Sequence, residues 1–209
     1  MRSNVRSIQD AGSDVVYAQA DVRDGLALAQ VLATWRDRHG DPVGLIHGAG
    51  VIQDKLLRDK TPESFDRVFG TKLEGALNLA RLVRPGPLRF AGLFSSVAGR
   101  FGNLGQSDYA AANEALNKLA VWLDRRWPGR VVSIGWGPWS GVGMVSDLEG
   151  HLGRRGLGMI APEAGRAFLA DEWRFGRKGE VEIVADGPFQ RAEVARGDRP
   201  PAAVAGARR

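Results

Sequence analysis

The sequence predicts an α/β fold in which helices cover both faces of a doubly wound parallel sheet. Short apolar runs of strand length alternate with segments of helical periodicity, which is the pattern of a parallel sheet with crossover helices. Glycine and polar residues follow several of the apolar runs, and open parallel sheets bind their ligands at the carboxyl ends of strands. The sequence therefore predicts a ligand site along that edge.

Capping residues and apolar periodicity define the elements of the first half of the chain. Gly12 ends a helix, Asp24 is a candidate amino-terminal cap, and Thr61 is a second cap that places Pro62 at a first helical position. The predicted elements are a helix end over residues 2–12, a strand over 15–20, a helix from 24 to 40, a strand over 43–47 and a helix from 61.

The second half continues the alternation. Its predicted elements are a strand over residues 88–95, a helix over 107–126, a strand over 131–136, a helix over 162–173 and a strand over 181–184. The glycine-rich segment 137–158 is expected to be mobile. Residues 1–189 are predicted to form one domain, and the basic, Pro/Ala/Gly-rich residues 190–209 a disordered tail.

Composition narrows the possible functions. The 209 residues include no cysteine and three scattered histidines, so no thiolate or histidine metal site is expected. The net charge is +5, but the arginines are dispersed, which favours an acidic protein partner over nucleic acid. No apolar run approaches the roughly 20 residues that span a bilayer, and no signal core follows the amino terminus. We expect a soluble, cytoplasmic protein.

One stretch, residues 93–113, joins a strand, a glycine-rich turn and a helix. Ser96 lies at the end of the strand, while Tyr109 and Asn113 stand one turn apart on the helix and share a face. A phenol has a pKa of about 10, so proton transfer near neutrality is helped by a nearby cation, for which Lys72 is the candidate. Spacing alone leaves open a plain alternative, namely a serine-rich turn, a core-edge tyrosine and a solvated lysine.

Several motifs together resemble the ketoreductase domains of multimodular polyketide synthases and polyunsaturated fatty acid synthases, within the short-chain dehydrogenase/reductase superfamily. The resemblance spans residues 2–187. The matching segments are Asp21-Val22-Arg23-Asp24, His47-Gly48-Ala49-Gly50-Val51, Thr71-Lys72-Leu73-Glu74-Gly75-Ala76, Phe94-Ser95-Ser96-Val97-Ala98-Gly99, Gly105-Gln106-Ser107-Asp108-Tyr109-Ala110-Ala111-Ala112-Asn113 and Gly135-Trp136-Gly137-Pro138-Trp139.

The resemblance implies a Rossmann-type fold and a set of catalytic roles. Ordinary short-chain reductases carry Tyr-x-x-x-Lys, whereas these ketoreductases exchange the Lys and Asn positions, as this chain does. By resemblance, Tyr109 protonates the substrate oxygen, Ser96 orients it, Lys72 supports the phenol and the nicotinamide ribose, and Asn113 completes a relay. NADPH would reduce a β-ketoacyl thioester carried on an acyl carrier protein. Ser95 is expected to be a structural neighbour.

The resemblance also implies cofactor contacts. Besides Lys72, the candidate residues are Asp21, Val22, Gly48, Ala49, Gly50 and Pro138. The first two match a strand end that contacts adenine, the next three let backbone approach the cofactor, and Pro138 lies near the nicotinamide amide. Turn requirements alone are the alternative explanation for these positions. His47 is expected to pack at a strand end. Asp54 retains the last residue of a Leu-Asp-Asp marker of product stereochemistry, and Phe101 stands where the opposite class tends to have Trp, so both indicate the Asp-bearing class.

The phosphate-binding unit of this family has no counterpart in the sequence. No Gly-x-Gly-x-x-Gly turn precedes residue 15, so the sheet is predicted to be amino-terminally truncated, with its first two strands absent. Three hypotheses remain open. They are an NADPH-dependent ketoreductase that is active when its amino-terminal half is present on this or a partner chain, a non-catalytic remnant or scaffold of a synthase, and a basic binding module.

Overall fold

A parallel sheet forms the centre of the fold. The computed structural model describes residues 2–142, 158–187 and 207–208 of the chain. The elements are α1 (Arg2–Asp10), α2 (Gly25–His39), β1 (Gly44–His47), a 3-10 turn (Leu57–Asp59), α3 (Pro62–Leu82), β2 (Phe90–Ser96), α4 (Val97–Phe101), α5 (Ser107–Asp124), β3 (Arg130–Trp136), α6 (Pro162–Phe175), β4 (Glu182–Ala185) and β5 (Ala207–Arg208). The order across the sheet is β1-β2-β3-β4-β5, and the first four strands are parallel.

Helices cover both faces of the sheet, as the alternation predicted. All seven residues of β3 are buried, because β2 and β4 flank it and helices lie above and below. Val131 packs in a core with α3 and α5, whereas Val132 and Ile134 face a second core with α6. None of the described helices is both long and apolar enough to cross a lipid bilayer.

Side-chain caps start the helices where the sequence predicts. Asp24 accepts the amides of Leu26 and Ala27 at 3.0 Å each and begins α2. Thr61 and Ser64 form a reciprocal capping box at the start of α3. These caps set the register of α3, the helix that carries the candidate cation.

The predicted strand over residues 15–20 is wrong. Residues 13–21 make no sheet pairing, and Val16 and Tyr17 are 49% and 55% exposed. Within the described residues β1 pairs with β2 alone, so no strand lies where this segment could join the sheet. An extended segment can form the backbone hydrogen bonds of a sheet only beside a neighbouring strand. Its end is held instead by the Asn78 amide, which donates to the Val22 and Arg23 carbonyls.

The carboxyl-terminal region is described in part. Ala207–Arg208, within the predicted tail, pairs antiparallel with Val184 and Ala185 of β4. Residues 143–157, from the glycine-rich segment predicted to be mobile, and residues 188–206 lie outside the described residues. The division into a domain over 1–189 and a disordered tail over 190–209 therefore stays a prediction.

Candidate active site

A cavity of about 570 Å³ lies at the carboxyl ends of β2 and β3. This size is typical of small-molecule sites, and its place agrees with the ligand position of doubly wound sheets. Predicted site residues from separate segments line it, namely Gly48, Lys72, Ser96, Tyr109 and Pro138. The fold thus brings together side chains that are far apart in the sequence.

Tyr109 lies in the first turn of α5 with its ring against this cavity. Burial raises the pKa of its phenol above the ordinary value of 10.0, while the side chains of Ser96 and Asn113 act in the opposite direction. The phenol therefore keeps its proton at neutral pH. A protonated, buried hydroxyl beside a second hydroxyl is suited to donate a proton to an oxygen bound in the cavity.

Lys72 brings a cation close to the same ring. Its side chain is buried, and Nζ donates a hydrogen bond of 2.8 Å to the Phe94 carbonyl. Nζ also lies 5.5 Å from the centre of the Tyr109 ring. Burial lowers the pKa of Lys72 from 10.5 to about 8, so the ammonium is charged at neutral pH but close to losing its proton. A cation so placed stabilises negative charge that develops on the phenol.

Ser96 is the last residue of β2 and caps α4. Its Oγ accepts the Ala98 amide at 3.2 Å, which leaves the hydroxyl hydrogen available to an oxygen in the cavity. The hydroxyl of the neighbouring Ser95 instead donates a hydrogen bond of 3.1 Å to the Asn113 carbonyl. The Ser96 hydroxyl is thus available to the cavity, while Ser95 holds α5 against β2.

Asn113 is fully buried one turn after Tyr109. Its Nδ2 donates 2.7 Å to the Tyr109 carbonyl, earlier in α5. Its Oδ1 is buried and has no hydrogen-bond partner among the described residues. A buried amide oxygen without a partner is costly, so it marks a position where a bound group or water is expected to donate.

The predicted cofactor residues fall into two groups. Gly48 and Pro138 line the cavity, whereas Asp21, Val22, Ala49 and Gly50 lie outside its lining. Arg23 lies 2.7 Å from the Asp21 carboxylate and, through this hydrogen bond, lowers the pKa of Asp21 to about 2. Val22 packs on α3, where a Cβ on Gly75 would approach its Cγ2 to 2.7 Å. Packing therefore accounts for Val22 and Gly75 in this structure.

A family model described as "KR domain" matches residues 1–141 of the chain. The chain belongs to the KR domain family. It is 39% identical over 171 residues to a polyunsaturated fatty acid synthase polypeptide of Thraustochytrium sp., and 33% identical over 176 residues to the polyketide synthase PksL of Bacillus subtilis. Each alignment covers 81% of this chain but only 6% and 4% of the two relatives, which are far longer.

Solved ketoreductases share the fold. One, described as a ketoreductase from the first module of phoslactomycin biosynthesis in a Streptomyces species, superimposes with a TM-score of 0.79 at 30% identity. Another, described as an N-terminal ketoreductase from the macrolactin assembly line, gives 0.78 at 25%. The alignments cover 98% and 93% of this chain but 47% and 38% of those structures. The chain therefore spans less than half of these two solved structures.

Aromatic side chains and a carboxylate also line the cavity of this KR domain. Trp136 packs edge to face on Phe94 and Trp139, with ring centres 5.4 and 5.0 Å apart. Asp186 brings a carboxylate to the rim, where Oδ1 accepts the Gly187 amide. It follows β4 directly, so the strand-end rule that selected Ser96 could have found it. Trp136 likewise ends β3, so the same rule places it at this edge, whereas its packing on Phe94 is long-range and has no local signal.

His47 packs as expected for a strand-end residue. Its ring is buried, and Nε2 lies 2.9 Å from the Lys72 carbonyl. Burial lowers the pKa of His47 below its ordinary value of 6.5. The neutral ring therefore donates from Nε2 to that carbonyl and helps to hold α3 against the sheet.

Proposed function

We propose that this chain carries the catalytic residues of a ketoreductase that uses NADPH to reduce a β-ketoacyl thioester to the β-hydroxyacyl thioester, in polyketide or fatty acid biosynthesis. The observation that carries the proposal is the meeting of Tyr109, Ser96 and Lys72 at one cavity on the carboxyl edge of the sheet. An acyl carrier protein would present the substrate, as the family implies.

The described residues fit the nicotinamide half of NADPH. The cavity offers room, a buried ammonium and the backbone of Gly48, where even a Cβ would lie no closer than 3.6 Å to the Phe94 ring. The described residues offer no such place for the pyrophosphate half. Among the described elements, no strand is followed by a Gly-x-Gly-x-x-Gly turn that opens a helix.

The site's own residues handle the carbonyl oxygen. Tyr109 transfers its phenolic proton to that oxygen while Ser96 donates a hydrogen bond to it, so that the charge developing there is neutralised. NADPH, when bound, supplies the hydride that the carbonyl carbon receives. Lys72, charged below its pKa of about 8, stabilises the phenolate that Tyr109 becomes. Carbon gains a hydride and oxygen a proton, which gives the alcohol.

Asn113 supports proton return to the phenol. Its unpartnered Oδ1 is buried one helical turn from Tyr109, and Ser95 holds the Asn113 carbonyl in place. A water bound at Oδ1 would satisfy this buried acceptor beside the turn that carries Tyr109. This arrangement supports the relay role that the family implies.

The free edge of β1 supports a role for an upstream polypeptide. Among the described strands β1 pairs on one side only, and Ile46 within it is 44% exposed, so another strand can add there. The same edge also favours the second candidate function, a non-catalytic scaffold within a synthase. The two differ in whether the cavity ever receives NADPH.

An activity assay tests the proposal. The chain is mixed with the polypeptide encoded immediately upstream, NADPH and a simple β-ketoacyl thioester, and both NADPH oxidation and the hydroxyacyl product are measured. We expect product to form in proportion to the NADPH oxidised. Absence of product from the mixture and from the chain alone would instead support the scaffold.

A further inference from the structure

A buried ion pair joins the starts of the two helices that carry Lys72 and Tyr109. Lys60 Nζ lies 2.8 Å from Asp108 Oδ1, and the two side chains are 3% and 1% exposed. Lys60 directly precedes Thr61, the cap of α3, and Asp108 directly precedes Tyr109 in the first turn of α5. One contact therefore links the beginnings of both helices.

The two partners also hold their local backbone. Asp108 Oδ1 accepts the Tyr109 amide at 2.8 Å, and Lys60 Nζ donates 2.9 Å to the Gln53 carbonyl. Asp108 Oδ2 is buried and has no hydrogen-bond partner among the described residues. Lys60 is thus the cation that compensates this carboxylate in the described part of the chain, and the pair cannot shift without moving the Tyr109 backbone.

Neighbouring contacts fasten the same two segments. Gln106 Nε2 donates 2.8 Å to Asp54 Oδ2, and the Lys55 amide donates 3.0 Å to the Gly105 carbonyl. Gln106 and Ile52 both line the cavity. The segment before α3 is therefore laid against the turn before α5, and their joint position shapes one wall of the site.

We propose that the Lys60–Asp108 ion pair positions Tyr109 relative to Lys72, an inference that rests on the catalytic roles proposed above. A buried ion pair is weak as a source of net stability, since desolvation offsets most of its attraction, but it demands one geometry. Here that geometry sets the spacing of two helices whose side chains must meet in the cavity. Neither residue touches the reacting atoms, so both act as positioning residues.

The chain offers a matched control at the opposite end of the sheet. Arg130 and Glu172 form another buried pair, with Nη2 and Oε2 2.7 Å apart and side chains 6% and 4% exposed. Asp108→Asn and Glu172→Gln each turn a buried carboxylate into an amide of the same shape. Both changes should destabilise the fold, but only the first should disturb Tyr109.

The test needs no cofactor. The chain has two tyrosines, so a Tyr17→Phe background leaves Tyr109 as the sole tyrosine. Its ring carbon signal, observed by NMR after ¹³C labelling at Cζ, is followed from neutral pH through the titration of Lys72 near pH 8. Because Nζ lies 5.5 Å from the ring centre, loss of its proton should move this signal.

The pH-dependent step is the change in the chemical shift of the Tyr109 Cζ signal as Lys72 loses its proton. We expect Asp108→Asn to reduce this step by at least about twofold, because charge effects weaken with distance. Glu172→Gln should keep the step while lowering the urea midpoint. If Asp108→Asn lowers the midpoint and leaves the step unchanged, the ion pair is merely structural and the proposal is wrong. In the complete catalytic mixture, Asp108→Asn should lower kcat by about 10- to 100-fold with a smaller change in KM.

A double variant keeps the test informative if Asp108→Asn fails to fold. Lys60→Met combined with Asp108→Asn removes both charges, so no uncompensated charge stays buried and the fold should recover. The Tyr109 step should still be reduced, and a normal step in this variant would overturn the proposal. Because the NMR arm uses no NADPH, an inactive mixture with the expected NMR result would count against the proposed function alone.

Discussion

The carboxyl ends of β2 and β3 differ from the edge of the sheet at β1. At the first, each strand is paired on both sides, and Lys72, Ser95 and Asn113 are buried with side chains that donate hydrogen bonds to backbone carbonyls. At the second, β1 has one described neighbour, residues 13–21 form no strand, and Asp21 pairs with a residue of its own turn.

The difference contrasts a region whose strands are paired on both sides with an edge strand that has a single described neighbour. The side chains proposed to be catalytic are held by two central strands and two helices that pack on them, all within residues 60–136. The proposed adenine side, at Asp21 and Val22, follows a segment that forms no strand in the described structure. The proposed catalytic side is thus formed within the described residues, whereas the proposed cofactor side, at Asp21 and Val22, has no paired strand there.

The largest effect should come from Tyr109→Phe, which removes one hydroxyl from the formed side. Loss of a general acid lowers the reduction rate by about 10²- to 10⁴-fold. Stopped-flow oxidation of NADPH by the complete mixture measures it. The urea midpoint serves as control and should stay near that of the wild type. A rate within a factor of about two of the wild type would remove Tyr109 from its assigned role.

A pH-dependent effect on stability should follow from burying Lys72. The folded-state pKa of about 8 lies below the ordinary 10.5, so between these values the unfolded chain binds more protons and stability rises with pH. Relative to Lys72→Met, the free energy of unfolding should increase by up to about 3 kcal/mol from below pH 8 to above pH 10. Urea titrations at several pH values measure this difference.

The exposed Lys118 provides the control for that series. Its side chain is 60% exposed and pairs with Glu114 and Glu182, which raise its pKa. Lys118→Met should therefore show no gain in stability of the wild type over the variant between pH 8 and 10. If the difference in the free energy of unfolding between the wild type and Lys72→Met were equally independent of pH, the ammonium would be far better hydrated than its buried position indicates.

Reduction by the mixture should depend on pH for the same reason. Lys72 supports the phenolate only while the ammonium is charged. Burial raises the pKa of Tyr109, so this phenol stays protonated throughout the pH range in which Lys72 titrates. We expect the rate at saturating NADPH to fall as pH rises through about 8. A rate that stays constant to pH 9.5 would show that the charge on Lys72 is not needed.

A smaller effect should come from Gly75→Ala, which connects the two regions. The added Cβ would lie 2.7 Å from Val22 Cγ2 and 3.1 Å from His47 Cε1, so Val22 and its turn must move. Overpacking of this kind costs about 1–3 kcal/mol. On the same helix, the atoms nearest to a Cβ on Gly70 belong to the flexible Glu74 side chain, so Gly70→Ala should be neutral or stabilising. Equal midpoints for the two variants in urea would contradict this packing.

The smallest effect should come from Asp21→Asn, on the adenine side. Asp21 is exposed and pairs only across a tight turn with Arg23, so its loss should leave the unfolding midpoint unchanged. In the complete mixture we expect the KM for NADPH to rise by less than about tenfold, with kcat unchanged. A fall in kcat without a change in KM would place Asp21 in a different role.

The structural features that could be predicted from the sequence are those with a local signal. The caps at Asp24 and Thr61 and the strand end at Ser96 each depend on a few neighbouring residues, and the structure has them as predicted. The strand over 15–20 was wrong because pairing is a long-range property. The Lys60–Asp108 pair escaped prediction for that same reason, since nothing local links residues so far apart.

The most direct test of the account is the affinity for NADPH, measured by calorimetry with the chain alone and with the polypeptide encoded upstream. We predict binding at least about tenfold tighter in the mixture, and equally tight when the chain carries Tyr109→Phe, because the phenol acts on the substrate. Equal affinity with and without the upstream polypeptide would contradict the claim that the described residues form the catalytic side while the cofactor side depends on further chain.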